Sequence, residues 1–186
     1  MKISCARLPL ILPLSILAAA CSSTQPDCPP GGIKPPAATT STLLPHAPGG
    51  ALQAASLPDA ELTLARMLTL ALEDEYLARG EYALLIERFG ERRPFSRIVK
   101  AEERHIASLV PLFARHGVPV PADRGRETAQ LPASLKEARA IGVTAELGNI
   151  AMYERFLKQE LPDDVRRVFK NLLAASRNHL ATFQGR

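Results

Sequence analysis

The stretch "AEERHIASLV", residues 101–110, decides how the chain is read. At helical spacing its apolar side runs through Ile98, Ile106 and Leu109, yet Glu102 and His105 fall on that same side. An unpaired charge in an apolar interior is costly, and a buried polar group needs a partner. The question is what partner these two residues meet, and the same pattern recurs elsewhere in the chain.

From Pro58 onward the sequence shows four long helical patterns. The first spans about 58–89 and stops at Gly90. The second runs from Pro94 to Gly117, with Pro111 expected to kink it or to open its last turn. The third opens at "SLKE", where Ser134 and Glu137 have capping-box spacing, and reaches about Glu160. The fourth follows "LPDD" and ends near Gln184. No segment alternates as a strand would. Short connections make helices 1–2 and 3–4 antiparallel pairs. Between helices 2 and 3 lie the sixteen residues 118–133, able to span roughly 50 Å when extended. A helix of about 24 residues is only about 36 Å long. The expected fold is therefore an all-α four-helix bundle with a long helix 2–helix 3 crossover, an up-down-up-down bundle with one long loop being the alternative.

Each helix turns polar, metal-capable groups toward the apolar side at one place. Helix 1 carries Glu75 within Leu64, Leu68, Ala71, Ala78, Leu85 and Phe89. Helix 3 carries Glu146 within Leu135, Gly142, Ile150, Tyr153 and Leu157. Helix 4 carries Ser176 and His179 among Val165, Val168, Phe169, Leu172 and Phe183. Counted from the turns that join each pair, these groups lie at one height. Three carboxylates and two imidazoles would then meet in a low-dielectric interior, where the carboxylates cannot all stay ionised without cations. Two divalent metal ions resolve the conflict. The expected ligands are Glu75, Glu102, His105, Glu146 and His179, with the carboxylates bridging and each imidazole capping one ion. A mixed oxygen and nitrogen set suits iron or manganese, zinc being a further option. Tyr82 and Tyr153 are candidate donors behind the ligands. The plainer reading is that Glu75 pairs with Arg79 and that the polar groups only fix helix register. Glu73, Asp74, Glu81, Glu103 and Glu154 read as solvated helix charges, and His116 as a cation at a helix C-terminus.

The pattern resembles the ferritin-like superfamily, including rubrerythrins, which place Glu on helix 1, Glu-x-x-His on helix 2, Glu on helix 3 and Glu-x-x-His on helix 4. "EYLARGEY" from Glu75 is similar to the first rubrerythrin helix. "EDEYLAR", "AEERH" and "LLAASRNHL" resemble an uncharacterised bacterial branch, the domain of unknown function 2202, over residues 60–184. The resemblance implies a ferritin-like di-metal protein, iron most of all, redox-active toward oxygen or peroxide. A protein that sequesters metal without turnover is the alternative, and a purely structural bundle a third. Ser176 departs from the pattern: it stands where the superfamily has its last carboxylate. Three glutamates leave two divalent ions short of one negative charge, so Ser176 marks either an open coordination position or a half-empty site.

The N-terminal third is of another kind. "MKISCARLPLILPLSILAAAC" has Lys2 and Arg7, a thirteen-residue apolar run, and alanines before Cys21. This is a secretory signal layout, too short for a comfortable membrane span of about 20 residues. "LAAAC" resembles a bacterial lipobox with Cys21 as the lipidated residue, and Ser22 after it resembles lipoproteins sent to the outer membrane. The expected divisions are a signal peptide over 1–20, a lipidated Pro-rich tether over 21–57 and the helical bundle over 58–186. The tether, holding Cys28 and His46, is too poor in periodic apolar residues to order itself. The chain would face the periplasm, held to the membrane by its lipid anchor, and a homodimer is compatible with it. Losing Lys2 and Arg7 takes the formal charge from +4 to +2, so the basic composition is no argument for nucleic acid. Arg166, Arg167, Lys170 and Arg177 read as a solvated face. No Cys-x-x-Cys pair occurs, which excludes a rubredoxin-type centre.

Overall fold

The structure, a computed structural model, describes residues 49–185. The signal segment, Cys21, Cys28, His46 and most of the expected tether lie outside the described residues. Six α-helices follow in order: α1 Gly50–Ser56, α2 Leu64–Phe89, α3 Phe95–Arg115, α4 Gly125–Thr128, α5 Leu135–Phe156 and α6 Asp163–Phe183, with a 3-10 turn at Asp59–Glu61 between α1 and α2. The fold is all-α, with no strand among the described residues. None of the described helices is long and apolar enough to cross a membrane.

The helix ends follow local chemistry. The Thr63 side chain accepts from the backbone N–H of Arg66 at the start of α2, and Ser134 accepts from Glu137 at the start of α5. The Glu137 carboxylate reaches back to the N–H of Ala133 at 2.8 Å, one residue beyond the position a standard capping box would use. Gly117, at φ 65°, closes α3 while the N–H of Val118 donates to the Phe113 carbonyl, the left-handed glycine stop. The helix continues through Pro111 to Arg115. His116 does not end it as a lone cation: its Nε2 lies 3.1 Å from Asp164 on α6.

Two apolar clusters fix how the four long helices run. One joins Tyr82 and Leu85 late in α2, Phe95 and Ile98 early in α3, Ala138 early in α5 and Phe183 at the end of α6. The other joins Met67 and Leu68 early in α2, Leu109 and Phe113 late in α3, Tyr153 and Phe156 late in α5, and Val165 and Phe169 early in α6. Thus α3 and α5 both run from the first cluster to the second, parallel to each other, while α2 and α6 run the opposite way. The crossover between α3 and α5 returns along α2. Arg79 pairs with Asp123, and Arg126 grips both oxygens of Glu87 two turns further on at 2.7 and 2.8 Å. Gly125 makes this approach possible, since a Cβ there would lie 1.8 Å from the Tyr76 carbonyl oxygen.

Three expectations need correction. Residues 50–56 are helical, so the segment expected to be a tether up to residue 57 already packs on α2 and α5. A Cβ on Gly50 would stand 1.7 Å from the Leu70 carbonyl oxygen, which is why so short and alanine-rich a helix can sit flush. Arg155 holds its far end, donating to the carbonyls of Ala54 at 2.6 Å and Leu57 at 2.5 Å. Second, Asp74 is not a solvated charge: it accepts from the N–H of Ala51 at 2.9 Å and so ties α1 to α2. Third, Arg166 does not belong to a solvated face, because its guanidinium donates to the Leu157 and Gln159 carbonyls across the α5–α6 turn.

Candidate metal centre

Between the two apolar clusters the core is interrupted at a single level by Glu75 on α2, Glu102 and His105 on α3, Glu146 on α5, and Ser176 and His179 on α6. Each of the four long helices supplies at least one group, because each carries its polar interruption on its buried stripe. Glu75, Glu102 and Glu146 are 5 %, 3 % and 3 % exposed. The two histidines are only half-buried, their rings 5.7 Å apart.

Glu102 is the centre. Its Oε2 lies 2.7 Å from Nδ1 of His105, and its Oε1 lies 3.5 Å from Nδ1 of His179. His105 Nδ1 also stands 3.1 Å from Glu75 Oε2, and His179 Nδ1 stands 3.1 Å from Glu146 Oε1. The result is two groups, Glu75–Glu102–His105 and Glu102–Glu146–His179, in each of which one ligand atom per residue lies within 4.8 Å of the others. Either group could hold a metal ion, and they share Glu102. All five residues singled out in the sequence thus come together. The pairing of Glu75 with Arg79 does not occur, since Arg79 turns outward to Asp123.

The electrostatics show how the metal-free core settles its charges. Burial works to lower the basicity of His105, but its hydrogen bonds with Glu102 and Glu75 outweigh this and push its pKa up to about 10. Burial raises Glu75 too, yet the hydrogen bond and charge of His105 win, and its pKa falls below the usual carboxylate value. Glu102, buried and beside the Glu75 charge, is driven well up. Burial likewise raises Glu146. The charge of His105 thus offsets part of the buried negative charge.

Tyr153 donates its hydroxyl to Glu75 Oε1 at 3.0 Å, the role expected of a supporting donor. Tyr82 packs between Phe95 and Phe183, ring centroids 6.1 and 6.2 Å away; among the described residues no hydrogen bond joins it to the five. Ser176 is buried beside Glu146, whose Oε1 faces His179. The other Glu146 oxygen, Oε2, is buried without a hydrogen-bond partner. A buried carboxylate oxygen left so is costly, and a cation would satisfy it. The donor set of carboxylates and imidazoles fits iron, manganese or zinc.

Two residues near the centre were not expected. Asn149, one turn after Glu146, is buried with its Oδ1 unpartnered and lies beside Asp74, whose pKa burial lifts to about 7. A cavity of about 630 Å³ between α1, α2 and α5 is lined by Tyr82, Asp74, Asn149 and Glu146, so it reaches the centre from one side. The i+3 spacing of Glu146 and Asn149 was the available signal; nothing in the sequence announced that α1 would help wall the cavity.

No family model matches the chain. The chain is 26% identical over 126 residues to an uncharacterised protein of Methanocaldococcus jannaschii, MJ0754, covering 60% of this chain and 68% of that protein. The crystal structure of hypothetical protein MJ0754 matches with a TM-score of 0.57 at 24% identity, over 69% of this chain and 82% of that one. This likeness bears on the helical fold alone. The resemblance to rubrerythrins and to the domain of unknown function 2202 rests on the quoted residues and gains nothing from these comparisons.

Proposed function

We propose that the helical region is a ferritin-like four-helix bundle that holds two divalent metal ions, iron most of all and manganese next, and that it acts in redox chemistry on oxygen or peroxide. The observation that carries this reading is the pair of carboxylate–histidine groups sharing Glu102. The parallel course of α3 and α5, joined by a crossover along α2, suits the ferritin-like arrangement. Glu75 and His105 would hold one ion, Glu146 and His179 the other, and Glu102 both. When bound, such ions supply a site that exchanges electrons with oxygen or peroxide. The chain's own residues orient it: Tyr153 holds Glu75 by its hydroxyl, and the apolar clusters above and below fix the helices that carry the ligands. The alternative is a protein that sequesters metal without turnover.

The lipid anchor at Cys21 and a periplasm-facing, outer-membrane location belong to the same reading, on the strength of "LAAAC" and the apolar run before it. Elemental analysis with an absorption spectrum tests the centre: one to two equivalents of metal per chain are expected, and none would end the reading. Fe(II)-dependent consumption of peroxide then separates redox turnover from sequestration. Labelling with a lipid precursor tests the anchor: wild type should be tagged and Cys21→Ala should not.

A further inference from the structure

The positive charge of the chain is not spread evenly. Over residues 88–104, the turn after α2 and the outer face of α3, lie Arg88, Arg92, Arg93, Arg97, Lys100 and Arg104, all exposed. The exposed acids in that stretch are Glu91 and Glu103. Counted formally, with the buried Glu102, the stretch carries +3 of the whole chain's +4. Arg97, Lys100 and Arg104 are spaced by three and four residues, which puts them in one row along the helix, with Arg93 just ahead of it. The helical part of the row, from Arg97 to Arg104, is about 11 Å long at helical rise. None of these four makes an ion pair among the described residues, whereas Arg79, Arg126 and Arg177 are each tied to a carboxylate.

We propose that this face seats the protein on an anionic phospholipid bilayer. Its chemistry favours a lipid surface over the other polyanions. A specific protein partner calls for an apolar core to its interface, but the exposed large apolar residues, Leu52, Val120, Leu131 and Leu147, all lie off α3. Single-stranded nucleic acid calls for aromatic platforms, and this row has none. A convex row of long cationic side chains fits a plane of mobile phosphates, to which each cation near the surface adds about fivefold in affinity at low salt. The sequence reading also places a lipid anchor at Cys21. The residues between it and Gly49 could separate the helices from the membrane by at most roughly 90 Å, so the bilayer is the polyanion nearest to hand. The proposal is independent of the metal centre.

The test uses the chain from residue 21 onward with Cys21→Ser, so that no acyl group contributes, and co-sedimentation with vesicles of phosphatidylcholine alone or with 30% phosphatidylglycerol. Binding should require the anionic lipid and fall away at 0.5 M salt. R97Q/K100Q/R104Q should lower it at least tenfold, while R66Q/K158Q/K170Q, an equal loss of exposed charge on α2, the α5–α6 turn and α6, should stay within about threefold of the parent. Circular dichroism melts and metal content should match the parent in both variants. Equal losses in the two variants would reduce the effect to net charge and overturn the proposal, as would unchanged binding in the first. So would a first variant that keeps its vesicle binding but no longer binds polyuridine or polyglutamate.

Discussion

Glu102 and His105 meet at 2.7 Å across one turn of α3, and the second oxygen of the same carboxylate faces His179 on α6 at 3.5 Å. One glutamate therefore belongs to both halves of the centre. This is why the carboxylates of α2 and α5 do not need to touch: each meets its own imidazole, and Glu102 stands between.

Tyr153→Phe should destabilise the metal-free protein by about 1–2 kcal/mol, since it leaves a buried Glu75 oxygen without its donor. The hydroxyl lies 3.0 Å from Oε1 and the ring is fully buried among Phe156 and Phe169, so the loss is of the hydrogen bond and not of packing. Urea denaturation at pH 7 measures it. An unchanged midpoint would mean that Tyr153 does not support the centre.

Ser176→Glu should strengthen binding of the ion on the Glu146–His179 side. The serine is buried one turn from His179, and the substitution supplies the charge that three glutamates lack against two divalent ions. Added volume in a packed core costs about 1–3 kcal/mol, so the metal-free variant should melt lower. Metal-loaded protein should regain the loss, because a ligand bound only by the folded state stabilises it. Titration with Mn(II) beside melts with and without metal decides the matter. Unchanged stoichiometry with a lower melting temperature in both states would show that no coordination position opens toward α6.

The pH dependence of the metal-free protein follows from His105. Its folded pKa, about 10, lies above the ordinary 6.5. The stability it contributes is therefore fully present below pH 6.5 and is lost as pH rises through about 10. Wild type should lose more stability between pH 6.5 and pH 10 than His105→Gln does, in parallel urea titrations of chelator-treated protein. Parallel curves would show that His105 gains no proton from its two carboxylates.

Gly50→Ala should release α1. The new methyl would press on the Leu70 carbonyl at 1.7 Å, and a backbone atom cannot give way as a side chain can. A loss of about 1–3 kcal/mol and faster proteolysis within residues 50–56 are expected, read by thermal melts and mapped cleavage. Protection equal to wild type would show that α1 is not seated as described.

The long helices and the five groups of the centre were legible because buried stripes carry a period, and a polar residue on such a stripe stands out. Glu102 and His105 announced themselves by falling between Ile98 and Leu109. What escaped lacks that period. Helix α1 is seven residues long, rich in alanine and set beside Pro-rich chain, and its place depends on Gly50 fitting against α2, a contact between distant segments. Asp74 neighbours Glu75 in sequence, so its position reads as solvent-facing; the arrival of Ala51 from α1 gives it a partner. Arg166 was counted with its charged neighbours, whereas the carbonyls that hold it come from the turn after α5.

The most direct measurement is the metal content of three proteins after loading with Fe(II) and removal of the excess: wild type, Glu102→Ala and Glu103→Ala. Glu102 is buried and shared by both groups, while Glu103 points to solvent about 100° around the same helix. Wild type and Glu103→Ala should each retain one to two equivalents per chain, and Glu102→Ala should lose metal from both halves at once. Equal retention by the two variants, or a wild type that holds no metal, would contradict the account.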